Sequence, residues 1–99
     1  MVHTLPDFTG NGTTQPLAVT RMMANWIQFT VPLAPNGSTT TNSAAVRVGD
    51  QFVSPTRGTQ VTIFGMLFPA TSDSASLDLS QIYFYAATGD KLQVTYGKL

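Results

Sequence analysis

Cysteine is absent from this chain of 99 residues, and so is glutamate. Without thiols there is no disulfide to staple a small fold, no thiolate nucleophile and no cysteine-bearing metal site, and a reducing compartment suits such a chain. Charge is scarce too. Charged residues make up 10% of the sequence and sum to zero, against about 25% charged residues in ordinary soluble domains. A neutral chain has no electrostatic pull toward a polyanion, so neither nucleic acid nor an acidic membrane surface is expected as a partner. No apolar run approaches the roughly 18 residues of a membrane span. The start "MVHTLPDFTGNG" has neither the basic region nor the apolar stretch of a signal peptide, so the chain is expected to be made in the cytoplasm and not exported by that route.

Low charge has a second consequence. A monomer in water is normally kept soluble by a charged exterior, whereas this chain combines 42% hydrophobic residues with few charges. The composition fits a domain whose exterior meets other protein, with a Thr- and Ser-coated monomer as the alternative.

What is present is β-forming. Strong helix formers are few beside Thr, Val, Ser and aromatics, and every acidic residue is Asp, whose short carboxylate bonds nearby backbone N–H groups in turns. In "NWIQFTV" (25–31), Ile27, Phe29 and Val31 share one face and Trp26, Gln28 and Thr30 the other, the period of a half-buried central strand. "TQVTIFGMLF" (59–68) alternates and then becomes apolar on both faces, with a bulge or bend expected at Gly65 and a stop at Pro69. "LSQIYFYAATGDKLQVTYG" (79–97) reads as a hairpin closed at Thr88-Gly89-Asp90: Leu92, Val94 and Tyr96 face one way, Gly89 supplies a positive φ and Asp90 caps freed amides. Weaker strands are expected at 2–9, 16–20 and 44–48. "PNGSTTTNSA" (35–44) and "ATSDSAS" (70–76) are loops, and "TRMMANW" (20–26) is the one place for a helical turn. The expected fold is all-β: one small sandwich or jelly-roll-like domain of seven or eight short antiparallel strands over 13–99, preceded by an extended arm over 1–12.

Four constellations invite chemistry. "VRVGDQFVSPTRG" (46–58) collects Arg47, Asp50, Ser54 and Arg57, but a serine nucleophile needs a base and the single histidine, His3, stands near the N-terminus. The simpler reading is a corner: Val46 and Val48 finish a strand, Gly49-Asp50 turns the chain, Phe52 and Val53 anchor it, and Pro55 and Gly58 punctuate the approach to the next strand. Asp73 and Asp78 have the residue type of a glycosidase pair, but so small a domain has little material for a cleft. The Asp, Asn and Ser residues follow no calcium-loop spacing, His3 alone selects no zinc, and "GNG" (10–12) lacks the lysine of a phosphate loop. No catalytic residue, metal or cofactor is expected. Interface roles are assigned instead to Val2, Leu5 and Phe8 on the arm, to Arg47 and Arg57, and to Tyr83 and Tyr85, which alternation sends to one face away from Phe84. The two arginines have Asp50 as well as a neighbouring subunit open to them for pairing, and a solvated surface position is the equal alternative.

The order of "NWIQFTV", "VRVGDQFVSPTRG", an apolar strand ending at Phe68-Pro69, and "DLSQIYFYAATGDKLQVTYG" resembles that of small β-rich virion structural proteins of tailed bacteriophages and prophages. The likeness spans about residues 20–97. Arg47, Gly49-Asp50, Ser54, Thr56-Arg57-Gly58 and Gly89-Asp90 are its most specific elements. The loop "APNGSTTTNSAA" is longer than usual for the group, and the first nineteen residues lie outside the likeness. The resemblance implies a virion component without enzymatic activity: a head decoration (cement) protein that associates with itself, a trimer among the orders open to it, and docks on the major capsid protein. The alternative it leaves is a head-spike, fibre or tail component that recognises a host-surface glycan.

Overall fold

Alternation along the chain becomes two facing layers in the computed structural model, which describes residues 1–68 and 77–98. The strands are β1 (Val2–Thr4), β2 (Phe8–Thr9), β3 (Thr14–Pro16), β4 (Met23–Ala24), β5 (Trp26–Thr30), β6 (Val46–Gly49), β7 (Thr59–Val61), β8 (Met66–Phe68), β9 (Leu77–Asp78), β10 (Tyr83–Tyr85) and β11 (Lys91–Gly97), with a single 3-10 turn at Leu79–Gln81. Eight of these strands have three residues or more, and β2, β4 and β9 have two. All their pairings are antiparallel. One sheet runs β1-β11-β5-β8 with β2 also on β11, a second runs β3-β10-β6-β7, and β4 pairs β9. The all-β sandwich expected from the sequence is what the chain forms.

Register explains the core. In the first sheet Ile27 lies opposite Tyr96 and Phe68, and Phe29 opposite Val94 and Met66; in the second, Phe84 lies opposite Val48, and Val46 opposite Val61. Side chains of paired residues share a face, so these sets point at one another across the sandwich. Phe29, Phe84, Ile27, Leu79, Leu92, Val46, Val48 and Val94 are fully buried, each contributing about 1.5–3 kcal/mol of transfer free energy. Phe29 meets Phe68, and Phe8 meets Phe84, edge to face within this core, both at 5.4 Å between centroids.

The expected hairpin over 79–97 does not form. β10 belongs to the second sheet and β11 to the first, so Ala86–Asp90 carries the chain from one layer to the other. A tight turn is present, with Asp90 N–H donating to Ala87 C=O at 2.9 Å and Gly89 at φ +88. The backbone of residues 10–12 occupies the place of a hairpin ladder: Gly10 N–H donates to Asp90 C=O, Gly12 N–H to Ala86 C=O, and Gly89 N–H to Gly10 C=O. Only glycine fits at position 10, since a Cβ there would lie 2.4 Å from the Ala87 carbonyl oxygen.

Elsewhere the elements differ from expectation in their bounds or in the sheet they join. The run 59–68 is divided at Gly65, φ +82, into β7 of one sheet and β8 of the other. The strand expected at 16–20 lies earlier, at 14–16, and the segment 20–26 holds β4 and the start of β5 where a helical turn was expected. Of residues 1–12, expected as an extended arm, the first nine lie along β11: Val2–Thr4 pair with Thr95–Gly97, Leu5 N–H donates to Val94 C=O, and Phe8–Thr9 pair with Lys91–Leu92. Pro6, which has no N–H to donate, marks the gap between β1 and β2. The loop expected at 70–76 lies outside the described residues.

Candidate interaction surfaces

The corner at 46–58 is the long loop of a hairpin, for β6 and β7 pair directly through Arg47 and Gln60. Asp50 accepts the Phe52 N–H at 2.9 Å and its carbonyl accepts the Val53 N–H, an Asx turn of the kind short carboxylates favour. Ser54 and Arg57 exchange two backbone hydrogen bonds around Pro55-Thr56. Gly58, φ +115, is a second obligatory glycine, since a Cβ would meet Val53 Cγ2 at 2.5 Å.

This loop folds back over the outer face of the second sheet. Arg47 Nε donates to Pro55 C=O at 3.1 Å and Nη1 to Gly58 C=O at 2.8 Å. On the far side the Thr14 hydroxyl donates to Val53 C=O at 2.6 Å, while the Val53 side chain lies against Gly49. The guanidinium of Arg47 therefore ties down carbonyls of its own loop. Tyr83 and Tyr85 stand between Thr14–Pro16 and Arg47–Gly49 on that face and are half-buried. Arg57 is exposed, 5.9 Å above the ring of Phe52, which is itself 60% exposed.

Of the other assigned interface residues, Val2 is 65% exposed on β1, an edge strand, whereas Leu5 and Phe8 are half-buried against the core. Sequence reasoning missed two features. Trp26 lies across Gly97 on the outer face of the first sheet, so closely that a Cβ on Gly97 would be 2.3 Å from the indole nitrogen. Thr95, Gln28 and Leu67 form the next row of that face. Phe64 and Leu67, on and after the β7–β8 turn, are 91% and 56% exposed. The signal for Phe64 lay in the sequence: it is the apolar residue that falls on the polar side of the alternation begun by Val61 and Ile63.

The residues with chemical potential are spent on structure. His3 stacks on Tyr96 at 5.0 Å in the first sheet, while Ser54 belongs to the loop over the second, its hydroxyl accepting the Thr56 N–H; the two are not brought together. Asp78 caps the 3-10 turn, accepting from Met22 N–H, Ser80 N–H and the Ser80 hydroxyl. The Met22 N–H above all, then the Ser80 hydroxyl, hold its carboxyl below the usual carboxylate range. Its supposed partner Asp73 lies outside the described residues. Asp90, 6% exposed, takes Ser43 N–H and Ala44 N–H at 2.9 and 3.0 Å together with the Ser43 hydroxyl. Beside it the Asn42 carboxamide exchanges two 2.8 Å bonds with the backbone of Lys91, as a strand residue would. Among the described residues no group of three or more His, Cys, Asp or Glu is placed to hold a metal ion.

No protein-family model, curated protein or solved structure matches the chain.

Proposed function

We propose that this chain is a structural protein of a phage virion, a capsid decoration protein that binds the assembled head and stabilises it. The observation that carries the reading is the exposure of Phe64, Leu67, Phe52, Val19 and Val2 on a chain with one charged residue in ten. Large apolar side chains exposed on a surface with few charges are stabilised by a protein partner. The resemblance over residues 20–97 supplies the identity of that partner, the major capsid protein. The mechanism is mass action. Surface buried against the closed shell contributes about 25 cal/mol per Å², and because the chain binds the assembled state alone, it favours that state over dissociated subunits.

The test compares heads assembled with and without the chain. Purified chain added to bare heads is expected to co-sediment with them and raise their rupture temperature; failure to co-sediment at micromolar concentration overturns the proposal. A second reading, recognition of a host-surface glycan by a spike, fibre or tail component, draws on Trp26 and its neighbours Thr95 and Gln28. Sugars stack on such aromatic faces beside hydrogen-bonding side chains. A glycan array without binders, together with chain distributed over the whole head, decides against that reading.

A further inference from the structure

Four asparagines occur in the chain, and two of them, Asn11 and Asn36, stand directly before a glycine. Asparagine is among the thermolabile residues. Its lability is greatest before glycine, where no side chain keeps the next backbone nitrogen away from the carboxamide carbon. The fold sets the four in very different surroundings.

Asn36 and Gly37 sit at the tip of a small hairpin: Leu33 bridges Thr40, Ala34 N–H donates to Thr39 C=O at 2.8 Å, and Gly37 N–H donates to Ala34 C=O at 2.9 Å. Both residues are exposed, and a Cβ on Gly37 would meet nothing within 4 Å. The Asn36 side chain serves only as an acceptor. Its Oδ1 takes the Ser38 N–H at 3.0 Å, the Thr39 N–H at 3.2 Å and the Thr39 hydroxyl at 3.2 Å, while its Nδ2 donates to none of the described residues. Donors placed on an oxygen stabilise negative charge that develops there, and attack on the carboxamide carbon sends charge to this oxygen.

The other three asparagines are held back. Asn25 is buried and precedes Trp26. Asn42 is tied through both ends of its carboxamide to the Lys91 backbone, and the next amide, Ser43 N–H, is bound by Asp90. Asn11 also has donors on its Oδ1, from the Thr13 N–H and hydroxyl. Its difference lies in the nucleophile. Gly12 N–H donates to the carbonyl of fully buried Ala86, and opening that bond strands an acceptor away from water. Releasing the Gly37 N–H opens only an exposed hairpin tip, where water takes its place.

We infer that Asn36 is a site of spontaneous deamidation in the folded chain, with Asn11 protected by the crossover between the sheets. Gly37 N–H gives its proton to hydroxide and the nitrogen bonds to Asn36 Cγ. The Cγ–Nδ2 bond breaks, and ammonia leaves once Nδ2 has taken a proton from water. Water then opens the succinimide at either carbonyl, so that aspartate or isoaspartate stands at 36. Aspartate keeps the three acceptor contacts and gives the neutral chain a net negative charge. Isoaspartate adds a backbone carbon to the hairpin tip.

Peptide mapping by mass spectrometry tests this on the full chain, incubated in mildly alkaline buffer with and without denaturing urea. Cleavage after Arg21 and Arg47 puts the two sites in separate peptides. In the folded chain, conversion at Asn36 is expected to outpace that at Asn11 at least about fivefold, the population change made by one further hydrogen bond. In urea, where only the shared Asn-Gly sequence remains, the two rates should converge. The rate at Asn36 should rise with pH, since the amide loses its proton before it attacks. Asn36 intact in the folded chain while it converts in urea, Asn11 keeping pace with Asn36 in the folded chain, or a rate indifferent to pH overturns the inference. None of these results bears on the virion reading.

Discussion

Replacing Asp90 with alanine should cost this fold more than any other single loss of a charge. The carboxylate sits at the crossover between the sheets, buried, and receives two backbone N–H groups and one hydroxyl from Ser43 and Ala44. Hydrogen bonds to a charged group are each worth about 1.5–3 kcal/mol net. Ser43 and Ala44 are themselves exposed, so water replaces part of what their amides lose, and the expected cost of Asp90→Ala is about 2–4 kcal/mol. Against a total stability on the order of 5–15 kcal/mol that is a large share, and it corresponds to a melting temperature lower by roughly 10–25 °C. Urea unfolding at neutral pH followed by Trp26 fluorescence measures it. Asp50→Ala is the internal comparison, because exposed Asp50 caps only the Phe52 N–H with its side chain, and should cost about 1 kcal/mol or less. An Asp90→Ala variant within about 0.5 kcal/mol of wild type would refute the reasoning, since surface substitutions away from structural features fall in that range.

Three other perturbations follow from the same contacts. Gly97→Ala sets a methyl group where the Trp26 ring lies, so it should displace the indole, red-shift its emission and destabilise by about 1–3 kcal/mol; unchanged emission would show the ring elsewhere. Arg47→Ala frees the carbonyls of Pro55 and Gly58, and limited trypsin digestion should then cut after Arg57 several-fold faster while the melting temperature moves little. Asp78 has a folded-state pKa below its unfolded value, chiefly through the Met22 N–H, so its contribution is fully present above the unfolded pKa and is lost as pH falls through the folded one. Asp78→Asn should therefore flatten the acid limb of the stability profile, and parallel profiles for the two proteins would contradict the assignment.

Faces were legible in the sequence and partners were not. Alternation in "NWIQFTV" assigns Ile27 and Phe29 to the core and Trp26 and Gln28 to the outside, as the structure has them, because the period of two is a local property of the strand. The corner at Gly49-Asp50 and the positive φ at Gly89 were legible for the same reason. The hairpin failed because a turn signal does not say which sheet each strand joins. Gly10, nearly eighty residues upstream, fills the gap between the strands. The Asn42–Lys91 and Ser43–Asp90 bonds span 49 and 47 residues, beyond any pattern read in a short window. Arg47 was read as an interface or solvated residue, and its bonds to the Pro55 and Gly58 carbonyls were not legible because they depend on how the 50–58 loop folds back. Trp26 over Gly97 was likewise invisible until β5 and β11 were placed side by side.

The central claim is that this sparsely charged sandwich is part of a particle. Purified virions from a strain that makes the chain, analysed by quantitative mass spectrometry against their major shell protein, test it most directly. The account predicts the chain in the particle fraction at a fixed, high ratio to the shell protein. Chain found only in the soluble fraction, with particles free of it, would contradict the account.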